Sequence, residues 1–173
     1  MERDAHKFVC LLLFALICAP MFLHAGVPDR QALFKIERNK NANIVQYDAQ
    51  IGADGKLLKK EPVVAYWVRL AEKGQVQELS WMQKTFAYGF NVKHDPKNDT
   101  LELDMKADIG RPIKVQREAD GYRATAQIEG SASFIEKIFI HATGKGMSTT
   151  VNYIELHGLD VKTGEKRFEK IVP

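Results

Sequence analysis

The chain has 173 residues, of which 45% are hydrophobic and 27% charged, and a formal net charge of +3. This is the balance of a folded protein of one ordinary domain; it excludes a disordered chain, and the length leaves no room for two comfortable domains. The charges are mild and interspersed, with no basic stripe, so nucleic acid is not an expected partner.

Arg3, His6 and Lys7 open the chain, diluted by Glu2 and Asp4. Residues 8–23 are then almost continuously apolar and uncharged, and Ala25 ends the run. A charged start, an apolar middle and a small residue at the end predict a secretory signal spanning 1–25. Residues 26–173 are then expected to be a single exported domain, periplasmic or extracellular. The alternative is an uncleaved membrane anchor. Against it, the 16 residues of the run fall short of the roughly 20 that span a bilayer as a helix, and Pro20 interrupts them. No membrane span is expected once the signal is removed. Both cysteines, Cys10 and Cys18, lie in this segment. The mature domain therefore has no disulfide, thiol nucleophile or thiolate metal site, and core packing alone must hold it together.

Residues 26–30 read as a leader. Residues 33–37 and 44–50 read as short strands around the polar turn Asn39-Lys40-Asn41, and Asp54-Gly55 marks the next turn. Residues 63–70 (VVAYWVRL) are nearly all apolar or aromatic and predict a central strand covered on both faces. Ser80 and Gln83 have the capping-box spacing of a helix start. Trp81, Met82, Thr85, Phe86 and Tyr88 recur at helical spacing, giving a helix over about 81–88 an apolar face. So short a helix is marginal alone, so that face is expected to pack on a sheet. Gly89 suits a left-handed helix end.

After Gly89 the period returns to two. Leu101, Leu103 and Met105 alternate with Glu102, Asp104 and Lys106, and Tyr122, Ala124, Ala126 and Ile128 alternate with polar residues. This is sheet with one wet face. Residues 133–142 and 149–156 suggest a hairpin around Gly144-Lys145-Gly146, and a last hairpin turns at Thr163-Gly164. Nine or ten strands and one helix predict a mainly β fold, an antiparallel β-barrel or β-sandwich with one short helix.

Candidate chemistry is sparse. His141 and His157 flank one hairpin and invite a metal-site reading. With the turn at Lys145-Gly146, His141 faces Thr150 and His157 faces Phe134. They then lie about seven residues, or roughly 23 Å, apart, too far to share an ion. Glu102 and Asp104 point the same way from one strand, roughly 6.6 Å apart, within the range of acid pairs in glycoside hydrolysis but also what a wet sheet face shows. Ser131, Ser133 and Ser148 lack a nucleophile-elbow turn, and Gly144-Lys145-Gly146 lacks phosphate-loop spacing. No catalytic residue, metal site or cofactor is expected. The least ordinary grouping is aromatic and polar together: Tyr66, Trp67 and Arg69 on one strand, Trp81, Gln83 and Tyr88 on the helix, and Arg38, Asn39 and Asn43 around the first turn. Such residues suit a pocket wall or an interface, and equally an ordinary core with a wet rim.

The run Phe34-Lys35-Ile36-Glu37-Arg38-Asn39-Lys40-Asn41, then Asn43-Ile44-Val45 and Tyr47-Asp48-Ala49, resembles the start of an uncharacterised family, domain of unknown function 4833. Tyr66-Trp67-Val68-Arg69, Glu78-Leu79, Gln83 and Ala87-Tyr88-Gly89 resemble its later signature. The likeness spans roughly residues 33–157 and is strongest before Gly89. It implies an exported single-domain protein and supplies no activity, cofactor or catalytic residue. The expected function is a non-enzymatic binding or structural module of the cell envelope. Its ligand, small or lipidic, or its partner protein would sit at Arg38, Asn43, Tyr66, Trp67, Arg69, Gln83 and Tyr88. The alternatives are an envelope hydrolase using Glu102 with Asp104, or His141 or His157 with a nearby acid, and a structural domain with no ligand.

Overall fold

Alternation dictates most of the architecture. Leu101, Leu103 and Met105 are buried, as are Tyr122, Ala124, Ala126 and Ile128, while Glu102, Asp104, Arg123 and Gln127 keep contact with solvent. The computed structural model describes residues 28–107, 109–144 and 148–173. The expected signal segment lies outside the described residues, as does part of the Gly144-Lys145-Gly146 turn.

Among the described residues eleven strands form one sheet. They are β1 (Asp29–Arg38), β2 (Asn41–Ile51), β3 (Val63–Arg69), β4 (Gln75–Glu78), β5 (Phe90–Asp95), β6 (Thr100–Met105), β7 (Ile113–Glu118), β8 (Gly121–Ile128), β9 (Ser131–Thr143), β10 (Thr150–Asp160) and β11 (Lys166–Ile171). The helix α1 (Trp81–Phe86) joins β4 to β5, and a short 3-10 turn, Leu70–Glu72, precedes β4. The order β4-β3-β2-β1-β9-β8-β7-β6-β5 curls into a half-barrel, with β10 and β11 continuing from the other edge of β9. The two ends of this order, β4 and β5, form no ladder with each other among the described residues, and α1 bridges them in sequence.

β9 is the organising strand. Its first residues pair antiparallel with β8, from Phe134↔Thr125 to Ser131↔Ile128. Its later residues pair with β1 in parallel, from Lys35↔Lys137 to Arg38↔Ile140. This is the one parallel ladder among the described strands of a mainly antiparallel sheet, and no local turn signal announces it. The parallel register sets Lys35 beside Lys137. Glu37 bridges both, at 2.7 Å and 3.5 Å. Burial pushes the Glu37 carboxyl up, but the two lysines together hold it below the ordinary value.

Several expectations are corrected. β1 begins at Asp29, so Asp29 and Arg30 belong to a strand and not to a leader. β3 is the last strand but one, flanked by the wholly exposed β4; Val63 and Trp67 are buried while their neighbours are half-exposed. An apolar run there reflects a rim, not a central strand. The β9–β10 register also differs. His141 pairs with Tyr153 and His157 with Lys137. The closing pair Thr143↔Thr150 leaves residues 144–149 between the strands, and register shifts fall at Val151/Tyr153 and His157/Gly158. The two histidines are thus four residues apart along β9, about 13 Å at the usual rise.

The core lies on the concave side of the curl. Phe34 stacks on Tyr47 with ring centres 4.5 Å apart, and Phe90 of β5 reaches the same tyrosine at 5.9 Å. This contact joins the β1–β2 arm to the β5–β6 arm.

Candidate functional site

Trp67 is the centre of the predicted grouping. It points inward from β3 and is buried. Three other predicted residues converge on it. Arg38 follows the buried Ile36 by two residues on β1 and so shares its inward parity, and its guanidinium carbon lies 4.7 Å above the indole. Tyr88 meets the indole edge-on, ring centres 5.2 Å apart, and lies 5.5 Å from the Arg38 guanidinium. Gln83 accepts from the Trp67 indole N–H at 3.2 Å.

Gln83 does two things at once. The capping box forms as the spacing predicted: Ser80 Oγ accepts from the Gln83 N–H, and Gln83 Oε1 accepts from the Ser80 N–H at 2.9 Å. The same carboxamide oxygen holds the indole, so the helix cap and the site are one hydrogen-bonded unit. Tyr88 is fixed from the other side. Its N–H donates to the Gln83 carbonyl at 2.7 Å, and its carbonyl accepts from the Tyr47 hydroxyl at 2.7 Å. Burial pushes the Tyr88 phenol up, and the Arg38 charge pulls it part of the way back.

The remaining three residues do not join them. Asn43 shares the inward parity of Val45 on β2, and its side-chain oxygen is buried without a partner among the described residues. Arg69 pairs with Glu72 at 2.5 Å on the surface. Tyr66 alternates to the opposite face of the sheet. There its hydroxyl donates to Asp48, which also accepts from Gln46 at 3.0 Å. Burial first, and then this bond to Asp48, push the Tyr66 phenol up to about 12.

The helix is oriented the other way from the expectation. Trp81, Met82 and Phe86 are 72%, 56% and 68% exposed, while Gln83 faces the sheet. No residue of α1 is buried; the flanking Leu79 and Tyr88 anchor it instead. Trp81 and Phe86 touch edge-to-face, ring centres 6.0 Å apart, on the outer surface. Gly89 does not take the left-handed conformation. A glycine is needed there because a Cβ would lie 1.7 Å from the Lys84 carbonyl oxygen.

The other candidate residues lie apart. Glu102 pairs with Lys93 at 3.0 Å, and Asp104 is exposed beside it on the wet face of β6. His141 stacks on Tyr153 at 4.6 Å, and His157 meets Glu155 at 3.2 Å. The Ser133 hydroxyl is buried and donates to the Ser131 carbonyl at 3.2 Å. Among the described residues no three His, Cys, Asp or Glu side chains are placed to hold a metal ion. No described helix is long and apolar enough to cross a membrane.

A family model described as Domain of unknown function (DUF4833) matches residues 34–170. The chain belongs to the DUF4833 family. No curated protein and no solved structure matches it. The DUF4833 match runs past the residues that carry the resemblance in the sequence and takes in most of β11. Sequence reasoning missed Tyr47 and the outward turn of α1. Tyr47 stands in the quoted family run, but nothing local marks a hydroxyl that will meet a carbonyl 41 residues away.

Proposed function

We propose that this DUF4833 chain is an exported, non-enzymatic binding module of the cell envelope. Residues 1–25 serve as the signal, and the remainder is one domain that takes a small or lipidic ligand at the Arg38–Trp67–Tyr88 cluster and the outer face of α1. The observation that supports this reading is the inverted helix. Three large apolar side chains stand in solvent on a six-residue helix whose polar Gln83 is turned inward. Water-facing apolar clusters of this kind mark binding surfaces. Three side chains are also too few to fill one side of a stable protein interface, which takes about 800 Å² per partner. That favours a small ligand over a partner protein.

The test is native mass spectrometry of protein recovered from an exporting host, with the mature N-terminus read in the same spectrum. A copurifying mass that is lost in Trp67→Ala, together with a chain beginning near Gly26, is expected. If no extra mass is present, and Trp67→Ala and Tyr88→Ala change only stability, the binding reading fails.

A further inference from the structure

Arg38 and Arg30 are the described arginines that reach no carboxylate, and they differ in burial: Arg30 is exposed near the start of β1, over the Tyr66 ring, while Arg38 is sheltered. Arg69, Arg111, Arg117, Arg123 and Arg167 each reach a carboxylate. Arg38 is half-buried, yet among the described residues it forms no ion pair, and its Nε is buried without a hydrogen-bond partner. The nearest acid in sequence, Glu37, points to the other face of the sheet and is held by Lys35 and Lys137. What surrounds the guanidinium is aromatic: Trp67 at 4.7 Å and Tyr88 at 5.5 Å.

A partly desolvated cation with no anion is costly. The two rings recover part of that cost through the charge–quadrupole attraction. The ring faces do not satisfy the N–H donors, which lie in the guanidinium plane; the Tyr88 hydroxyl accepts from one of them, and the buried Nε–H keeps no partner among the described residues. A guanidinium over the Trp67 ring still presents a planar fork of donors, the shape that recognises a carboxylate or phosphate through two parallel hydrogen bonds. Trp67 touches Arg38 on its face and Gln83 at its nitrogen, and Gln83 belongs to the helix that carries Trp81, Met82 and Phe86.

Resting on the binding reading above, we propose that Arg38 receives the oxyanion head, carboxylate or phosphate, of an otherwise apolar ligand whose body lies along Trp81, Met82 and Phe86. The site is therefore amphiphilic, with its charged end inside the curl of the sheet and its apolar end on the helix.

The experiment titrates the purified protein with decanoate, decyl phosphate and the neutral decanol. Calorimetry gives affinity, and proton–nitrogen spectra follow the Trp67 indole N–H and the Arg38 Nε–H. At least one of the two anions is expected to bind and move both signals, with decanol at least tenfold weaker. Arg38→Gln is expected to remove that tenfold advantage. Where Arg38→Gln does not fold, Arg38→Lys replaces it: the charge stays, the fork is lost, and decanoate binding is expected to fall several-fold. The ratio of decanoate to decyl phosphate identifies the head group. Decanol binding as tightly as the anions overturns the charged-head assignment and leaves an apolar site standing. Unchanged anion affinity in the arginine variant, or no binding of any of the three, also overturns it, while the native mass spectrum decides the broader reading separately.

Discussion

Asn39 and Ala142 lie 103 residues apart and exchange two hydrogen bonds: Asn39 Nδ2 donates to the Ala142 carbonyl at 3.2 Å, and Asn39 Oδ1 accepts from the Ala142 N–H at 3.0 Å. The carboxamide imitates a peptide group. It adds one more rung to the parallel β1–β9 ladder, just past the Arg38↔Ile140 pair. Asn39→Ala removes both bonds and strips two backbone groups of their partners. A cost of about 1–3 kcal/mol is expected. Asn39→Asp keeps the acceptor but sets a carboxylate against the Ala142 carbonyl, and should be no better tolerated. Urea unfolding checks both, with the midpoint falling and the slope unchanged. A wild-type midpoint in Asn39→Ala would show that the rung contributes nothing.

The tyrosines set the alkaline limit of the fold. The phenols of Tyr47, Tyr66, Tyr88 and Tyr122 are all raised, burial being the leading cause in each, and Tyr66 reaches about 12. Below an unfolded value near 10, folded and unfolded chains bind the same phenolic protons, so stability is flat with respect to these groups. Above it the unfolded chain releases protons that the folded chain keeps, so stability falls as pH rises through the folded values. Absorbance titration at alkaline pH should show delayed phenolate formation that coincides with unfolding. Asp48→Asn should lower the Tyr66 value, because its bond to the carboxylate is one of the causes. Four phenols titrating normally near 10 in a folded chain would contradict this.

Gly89 should tolerate no side chain. An added Cβ would sit 1.7 Å from the Lys84 carbonyl oxygen and 2.7 Å from its carbon, both backbone atoms that cannot swing aside. Gly89→Ala is expected to cost about 3 kcal/mol, at the upper end of overpacking penalties. It should also move Tyr88 off Trp67. Gly164 is the control: its φ is +71 with nothing within 4 Å, so alanine there should cost only the left-handed penalty of about 1–2 kcal/mol. Thermal unfolding of the two variants gives the comparison. Equal losses would mean that crowding at Gly89 is relieved by backbone movement.

Local pattern made part of this structure legible and left the rest hidden. Period-two alternation placed Leu103, Tyr122 and Ile128 in the core, and the Ser80–Gln83 spacing gave the helix start. Both are signals within a few residues. Helical spacing of Trp81, Met82 and Phe86 defined a face but not its direction, because Gln83 and the anchors Leu79 and Tyr88 decide which side meets the sheet. Strand parity already separated Tyr66 from Trp67, since adjacent strand residues point to opposite faces; grouping them as one site neglected that. The Arg38–Trp67–Tyr88 cluster draws on three segments distant in sequence, and nothing local to any of them marks that their inward faces meet.

The inverted helix gives the sharpest contrast in stability. Large apolar residues in a core cost about 3–5 kcal/mol when cut back, because contacts are lost and a cavity remains. Trp81 and Phe86 have little to lose. Each is more than two-thirds exposed, and their main aromatic contact is with one another. Trp81→Ser and Phe86→Ser, singly and together, are therefore expected to shift stability by no more than about 0.5 kcal/mol. Leu79→Ala, one residue before the cap and 4% exposed, should cost about 2–5 kcal/mol by the core argument. Gln83→Ala should fall between them, since one oxygen leaves both the Ser80 N–H and the Trp67 indole without their acceptor. Denaturant unfolding of the five variants orders them. A loss of several kcal/mol in Trp81→Ser would show that the helix packs inward after all, and would remove the exposed face on which ligand binding is argued.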